Sequence, residues 1–254
     1  LDYFGTKAYL AQSPQLYKEQ LTTVFEKVFE IGPFFRAEES RTRRHISEFT
    51  SLDIECAFMA QRGVVEILER MVRYVYKSIT ARCSKELETL GVHLEMPTLP
   101  FKRLTYDEVI DALSKEGVEI KWGEDIPTTA EKKLGELYPG FYFVTDWPSE
   151  IKPFYISPRE DDPKYSDSFD LMHGALEIAS GGTRVHEYSM LVARLKEQGL
   201  DPDGFKDHLS VFKMGFAPHA GWAVGLDRLV MLMTGAENVR ESIYYPRDRD
   251  RLRP

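Results

Sequence analysis

Between residues 34 and 58 the chain reads FFRAEESRTRRHISEFTSLDIECAF, and this stretch restricts the fold more than any other. Two apolar runs, 28–35 and 52–58, bracket a loop that carries Arg36, Glu38, Glu39, Arg41, Arg43, Arg44 and His45. Side chains alternate along a strand. Leu52, Ile54, Cys56 and Phe58 therefore share one face, and Phe49, Ser51, Asp53 and Glu55 share the other. A ring and two carboxylates opposite an apolar face predict a sheet with a core on one side and a site on the other. Read alone, a surface hairpin with a solvated charged loop fits the same pattern.

A second constraint lies at 168–182. Phe169-Asp170-Leu171-Met172 and Ala175-Leu176-Glu177-Ile178 flank His173-Gly174, which reads as a two-residue hairpin turn. That register sets Asp170 opposite Glu177, with Cβ atoms roughly 5 Å apart and like charges repelling. Such a pair needs a cation or a raised pKa, and a hard divalent ion with oxygen ligands, such as magnesium, suits it. A solvent-facing pair at a sheet edge is the other reading. The Ser180-Gly181-Gly182 that follows permits close approach of a ligand. Arg184, next to it, reads by itself as a turn residue. Gln15 and Lys18 lie three apart on one helix face, which by itself describes exposed surface as well as a site. Arg228 falls in the first turn of a helix at 226–233, a position that favours a phosphate. The segment has neither the GxGxxG nor the P-loop spacing.

The remaining elements are read more coarsely. Residues 1–10 form a strand pair turning at Gly5, and 63–82 an amphipathic core helix. Residues 85–100 are a connection, and 122–139 a polar loop. Thr105 and Glu108 make a capping box for a helix ending near Gly117. Strands are expected at 141–146, 153–156 and 216–224, with a mobile surface loop at 157–166. A helix at 185–197 ends at Gly199, and Asp201-Pro202 caps the next. Leu226, Leu229, Val230 and Met233 are expected to face inward.

With 254 residues, 43% hydrophobic and 29% charged, the chain can bury a sizeable core. No apolar run approaches membrane-spanning length and no secretory leader is visible, so the expectation is a soluble, cytoplasmic protein with no membrane partner. Cys56 and Cys83 have no metal-ligand or disulfide-framework spacing. A net charge of −8 argues against holding nucleic acid by overall field, which leaves the basic stretch 41–45 as a local patch.

FRAEE, a loop, His45 and EFTSLDIE resemble motif 2 of the class II aminoacyl-tRNA synthetases, in the aspartyl version. QSPQLYK at 12–18, GWAVGLDR at 221–228 and YYPRDRDRLRP at 244–254 are similar to the archaeal and eukaryotic branch of that family, in the expected order. The resemblance implies an α+β fold, the class II catalytic core, with a mainly antiparallel sheet flanked by helices. Residues 1–254 are then a catalytic domain. The family's N-terminal anticodon-binding domain and motif 1 are not found in this stretch.

The implied reaction is activation of L-aspartate by ATP with Mg2+, then transfer to the tRNA acceptor end, in a protein that is a homodimer at full length. By resemblance, Arg36 and Arg228 are catalytic and also bind ATP. Glu38, Arg44, His45, Glu177 and Gly225 join them there, and Phe49 stacks on adenine. Ser13, Gln15, Lys18, Ser180 and Arg184 take aspartate, and Asp53 holds its ammonium. Asp170, Glu177 and Ser180 hold the metal. Ala220 and Ala223 replace common glycines and Asp227 the usual glutamate, departures expected to bear on the adenine pocket. Two other readings stand beside this one. One is an ATP-dependent asparagine synthetase on the same core. The other is a non-catalytic paralogue that binds RNA or partner proteins.

Overall fold

The protein is described from a computed structural model, over residues 1–39 and 42–253; Arg41 of the charged loop lies outside them. Strands β1 (Asp2–Tyr3) and β2 (Thr6–Lys7) turn at Gly5, whose φ of 79° is left-handed and easiest for glycine. Helix α1 (Gln15–Phe25) leads into a hairpin of β3 (Lys27–Phe35) and β4 (Glu48–Ala57), with Phe34 opposite Phe49. Helices α2 (Gln61–Arg82) and α3 (Ser84–Leu90) follow, then β5 (Lys102–Thr105) and α4 (Tyr106–Lys115). Next come α5 (Thr128–Leu137), β6 (Phe141–Thr145), β7 (Ser168–His173) and β8 (Leu176–Thr183). The chain closes with α6 (Tyr188–Glu197), α7 (Lys206–Lys213), β9 (His219–Gly225) and α8 (Leu226–Thr234).

Seven strands form one sheet in the order β3-β4-β9-β8-β7-β6-β5, antiparallel except for the β5–β6 pair. One face carries the main core. Val64, Leu68 and Val72 of α2 pack there against Phe143, Phe169, Leu171, Trp222 and Val224. The Trp222 indole donates to the Val64 carbonyl at 2.9 Å, so that buried N–H is satisfied. The opposite face is divided. Over β5–β7 it is covered by α4 and α5 through Leu104, Tyr142, Val144 and Met172. Over β4, β9 and β8 helix α1 meets it along β4 through Lys18, and the cleft of the site opens beside that helix.

The β7–β8 hairpin departs from the expected register. Gly174-Ala175 forms the turn, His173 faces Leu176, and Met172 faces Glu177. Asp170 faces Ser180, not Glu177: the turn lies one residue later than expected, which moves the partner of Asp170 to Ala179, and Ile178, an extra residue in a β-bulge, moves it on to Ser180. Glu177, paired with Met172, lies on the Asp170 face as a diagonal neighbour, and the bulge brings Ser180 to that same face, which strict period two from Glu177 would not.

Other expectations also shift. The stretch read as a polar loop contains α5, whose Ala130 and Leu134 are completely buried. Gly135, which suggests a loop, is instead a packing glycine, since a Cβ there would strike the backbone at Gly174 and Ala175. The 85–100 connection begins with the rest of α3. Residues 153–156 form a turn, with Ile156 N–H donating to the Pro153 carbonyl at 3.0 Å, not a strand. The 157–166 loop is tied down by bridges Pro158–Ser166 and Pro148–Tyr165. Helix α6 starts at Tyr188 and β9 at His219, each three residues later than expected. On α8, Met231 is buried where Val230 was expected, and Val230 is exposed. Phe58 leaves the strand at positive φ and is also exposed.

Candidate functional site

Cross-strand register lays out the floor of the site. Asp53 faces Ala223, Ala223 faces Ser180, and Ser180 faces Asp170, giving one row across β4, β9, β8 and β7. A second row runs Glu55, Gly221, Gly182, Ser168. Ala223 and Ser180 at the centre of the first row leave room above the sheet, while in the second row the space over Gly221 is taken by the Glu55 carboxylate. The result is a cleft of about 330 Å³, within the ~300–1,000 Å³ of small-molecule sites. Of the residues named from the sequence, Ser13, Gln15, Arg36, Glu38, Arg44, His45, Phe49 and Asp53 line it, as do Glu177, Ser180, Arg184, Gly225 and Arg228. Lys18 and Asp170 lie behind its surface.

Lys18 is buried between α1 and the site face of β4, with Nζ 2.9 Å from Asp53 Oδ1 and 3.4 Å from Glu55 Oε2. Arg184 approaches from the other side, donating from Nε to Glu55 Oε1 at 2.9 Å and from Nη2 to Oε2 at 3.3 Å. Its Nη1 has no hydrogen-bond partner among the described residues, and the side chain lines the cleft. Asp53 Oδ2 accepts from Ser51 Oγ at 2.5 Å. Two cations and two carboxylates thus share one sealed cluster, formally balanced. Glu55 holds it together and was absent from the residues assigned to the site, although the strand alternation placed it on this face.

Further along the cleft, the Arg36 guanidinium lies 5.0 Å from the Phe49 ring centre and donates to the Gln12 carbonyl at 3.2 Å. The ring is backed by Phe34 at 6.4 Å between centroids. His45 Nδ1 is 2.6 Å from Thr42 Oγ1. Burial and the Arg228 charge lower the imidazole pKa, against the opposing charge of Glu38. Arg44 is engaged by the unforeseen helix: Nη2 lies 2.5 Å from Glu131 Oε2 on α5, and Nη1 donates to the Ala175 carbonyl at 3.2 Å. Of the motif 3 departures, Ala223 lines the cleft, but Ala220 is in the α2 core on the other face. Asp227 accepts from Thr50 N–H at 2.7 Å, and burial pushes its carboxyl up.

Asp170 and Glu177 are each met by a cation. Lys152 Nζ is 2.7 Å from Asp170 Oδ2, while Asp170 Oδ1 is buried with no hydrogen-bond partner among the described residues. Arg228 Nη1 donates to the Glu177 carbonyl at 3.0 Å and lies 3.4 Å from its Oε1. Burial and the Asp170 charge push the Glu177 carboxyl up, against Arg228 and Lys152. Nothing in the sequence singles out Lys152, a lone lysine after a Trp-Pro turn. Glu19, also unforeseen, accepts from Gln15 Nε2 at 2.6 Å. Its other oxygen lies 3.6 Å from Nε2 of both His208 and His219. The signal for Glu19 was there, four residues after Gln15 on one helix face.

The family model for class II tRNA synthetases (D, K and N) matches residues 2–249. A protein of Archaeoglobus fulgidus named aspartate–tRNA(Asp/Asn) ligase is 52% identical over the whole chain, which spans 59% of that relative. Among solved structures, an aspartyl-tRNA synthetase from Entamoeba histolytica is 41% identical at a TM-score of 0.92, covering 97% of this chain and 53% of its own. An asparaginyl-tRNA synthetase from Pyrococcus horikoshii, complexed with asparaginyl-adenylate, is 36% identical at 0.94, covering 100% and 60%. The chain thus spans a little over half the length of these relatives. With the family model matched nearly end to end on a sheet of the same shape, the chain belongs to the class II tRNA synthetases (D, K and N).

Proposed function

We propose that residues 1–254 are the catalytic domain of an aspartate–tRNA ligase, which joins L-aspartate to ATP as aspartyl-adenylate and passes it to the tRNA acceptor end. The observation that carries this is Arg184, buried on the cleft wall with Nη1 unpaired among the described residues. A guanidinium N–H matches a side-chain carboxylate, whereas an amide sets its own donors against it. Aspartate is also the amino acid in the name of the 52% identical relative. That name favours a tRNA ligase over an asparagine synthetase.

The substrate α-carboxylate is ionised at neutral pH, so the first step needs no base on the nucleophile. Catalysis comes from in-line positioning and from neutralising charge on the phosphates. Arg36 and Arg228 line the cleft and serve that purpose, Phe49 offers a flat face to the base, and Asp53 takes the substrate ammonium.

The residues present also fit magnesium. Asp170, just behind the cleft surface, offers a buried oxygen with no partner among the described residues, Glu177 lines the cleft, and Ser180 lies opposite Asp170. No cluster of three or more His, Cys, Asp or Glu suited to a metal occurs among the described residues. That matches an ion held by one or two carboxylates and the nucleotide's own phosphates. Bound there, it supplies charge neutralisation on the phosphate oxygens.

Edge strand β3 exposes Phe29 and Ile31, and α1 exposes Val24 and Phe25 beside it. This apolar edge supports a homodimer of the longer protein. No helix of the described residues is long and apolar enough to cross a membrane, and a cytoplasmic setting belongs to this reading. Glu177→Ala tests the proposal: aspartate-dependent ATP–pyrophosphate exchange is expected to disappear while the fold persists. Unchanged exchange, still requiring magnesium, would remove Glu177 from the role.

A further inference from the structure

Lys152 is placed with more care than a surface lysine. Its carbonyl accepts from Gln198 Nε2 at 2.7 Å and from Arg194 Nη2 at 3.4 Å, and Arg194 Nη2 also donates to the Ser149 carbonyl at 2.9 Å. The ammonium sits 4.1 Å from the centre of the Trp147 ring, and Trp147 is itself fixed by donating to the Val144 carbonyl at 3.2 Å. From there it reaches Asp170 Oδ2 at 2.7 Å while remaining part of the cleft wall. Anchored backbone, aromatic platform and carboxylate together hold one positive charge at the end of the cleft where two carboxylates stand.

Lys152 on Asp170 and Arg228 on Glu177 give two cations for two carboxylates, a formally neutral set. A bare divalent ion entering it gains no net attraction and is repelled by the nearby ammonium. A divalent ion arriving on a polyphosphate is received differently. The carboxylates would hold the metal, and the ammonium's remaining donors would be available to the phosphate oxygens.

We propose that Lys152 is a further residue of the nucleotide site, the one that makes it take a divalent cation together with the polyphosphate and not alone. The identity of the ligand rests on the function proposed above; the electrostatic consequence does not. A purely structural lysine tying the 147–152 turn to β7 predicts a loss of stability and no change in metal affinity.

The test is titration of the full chain with Mn2+ and no nucleotide, followed by the spectroscopic signal of the free ion. Lys152→Met removes the charge, Lys152→Gln removes it but keeps a donor to Asp170, and Lys152→Arg keeps it. Removing one unit charge beside a divalent site is expected to tighten Mn2+ binding at least about tenfold in Lys152→Met and Lys152→Gln. Lys152→Arg should behave as wild type, and adding Asp170→Asn to Lys152→Gln should abolish the gain. Calorimetry with Mg·ATP should show the opposite change, about tenfold weaker binding in Lys152→Gln. Equal Mn2+ affinity in wild type and Lys152→Gln would overturn the proposal, as would a gain that survives Asp170→Asn. If wild type takes up no Mg·ATP, the proposed function fails, while the Mn2+ comparison still decides the role of Lys152.

Discussion

Arg184 grips Glu55 through two hydrogen bonds, Nε to Oε1 at 2.9 Å and Nη2 to Oε2 at 3.3 Å, with both side chains almost sealed from solvent. Glu55 also lies 3.4 Å from Lys18, so one carboxylate sets two cations beneath the cleft. The proposed choice of amino acid therefore depends on a residue placed behind the substrate.

Glu55→Gln should leave Arg184 and Lys18 short of a counter-charge in a buried place. Removing one partner of such a pair costs about 3–5 kcal/mol. Chemical denaturation of wild type and variant checks this. A loss below about 1 kcal/mol, the range of surface pairs, would show that the cluster is not sealed as described.

Gly221→Ala should damage the same place from the other side. A Cβ at Gly221 would strike the Ile54 carbonyl, which is backbone, and the Glu55 carboxylate, which Arg184 and Lys18 hold in place. Overpacking of this kind typically costs about 1–3 kcal/mol, and here it would also push Glu55 off Arg184. Gly204→Ala, with nothing within 4 Å of the added carbon, is the control. Equal unfolding midpoints for the two variants would contradict this account.

How much of this the sequence showed depended on local rules. Period two along β4 put Asp53 and Glu55 on the site face and Leu52 and Ile54 toward the core, as the structure has them. The Thr105–Glu108 capping box formed as written. The Asp170–Glu177 register failed because the turn uses Gly174-Ala175 instead of His173-Gly174 and because Ile178 is an extra, bulged residue, which nothing in the alternation of residues 168–182 marks. Helix α5 was hidden by Gly135, whose reason is the backbone at Ala175, forty residues away. Lys152 gains its place partly through Arg194 and Gln198, more than forty residues on, contacts that leave no trace in its own neighbourhood of sequence.

Glu19 carries a pH dependence. Burial works to raise its carboxyl, but His208 and His219 outweigh that and hold it well below the usual carboxylate range. A group whose folded pKa is depressed contributes stability above its unfolded value, and that contribution is lost as pH falls toward the folded one. Thermal unfolding of wild type and Glu19→Gln should thus differ most near neutrality. The two should converge as pH drops below about 4. A difference that stays constant from neutral to acid pH would show that Glu19 acts through packing alone.

The most direct test of the proposed function is amino-acid-dependent ATP–pyrophosphate exchange, run with aspartate and with asparagine, on wild type and on Arg184→Leu shown to be folded. Loss of one partner from a buried, hydrogen-bonded charge pair costs about 2–5 kcal/mol, on the order of 30- to 5,000-fold at about 1.36 kcal/mol per tenfold. Wild type should use aspartate strongly over asparagine, and Arg184→Leu should lose aspartate activity by a factor in that range while asparagine activity changes far less. Equal use of the two amino acids by wild type, or undiminished aspartate activity in Arg184→Leu, would contradict the account.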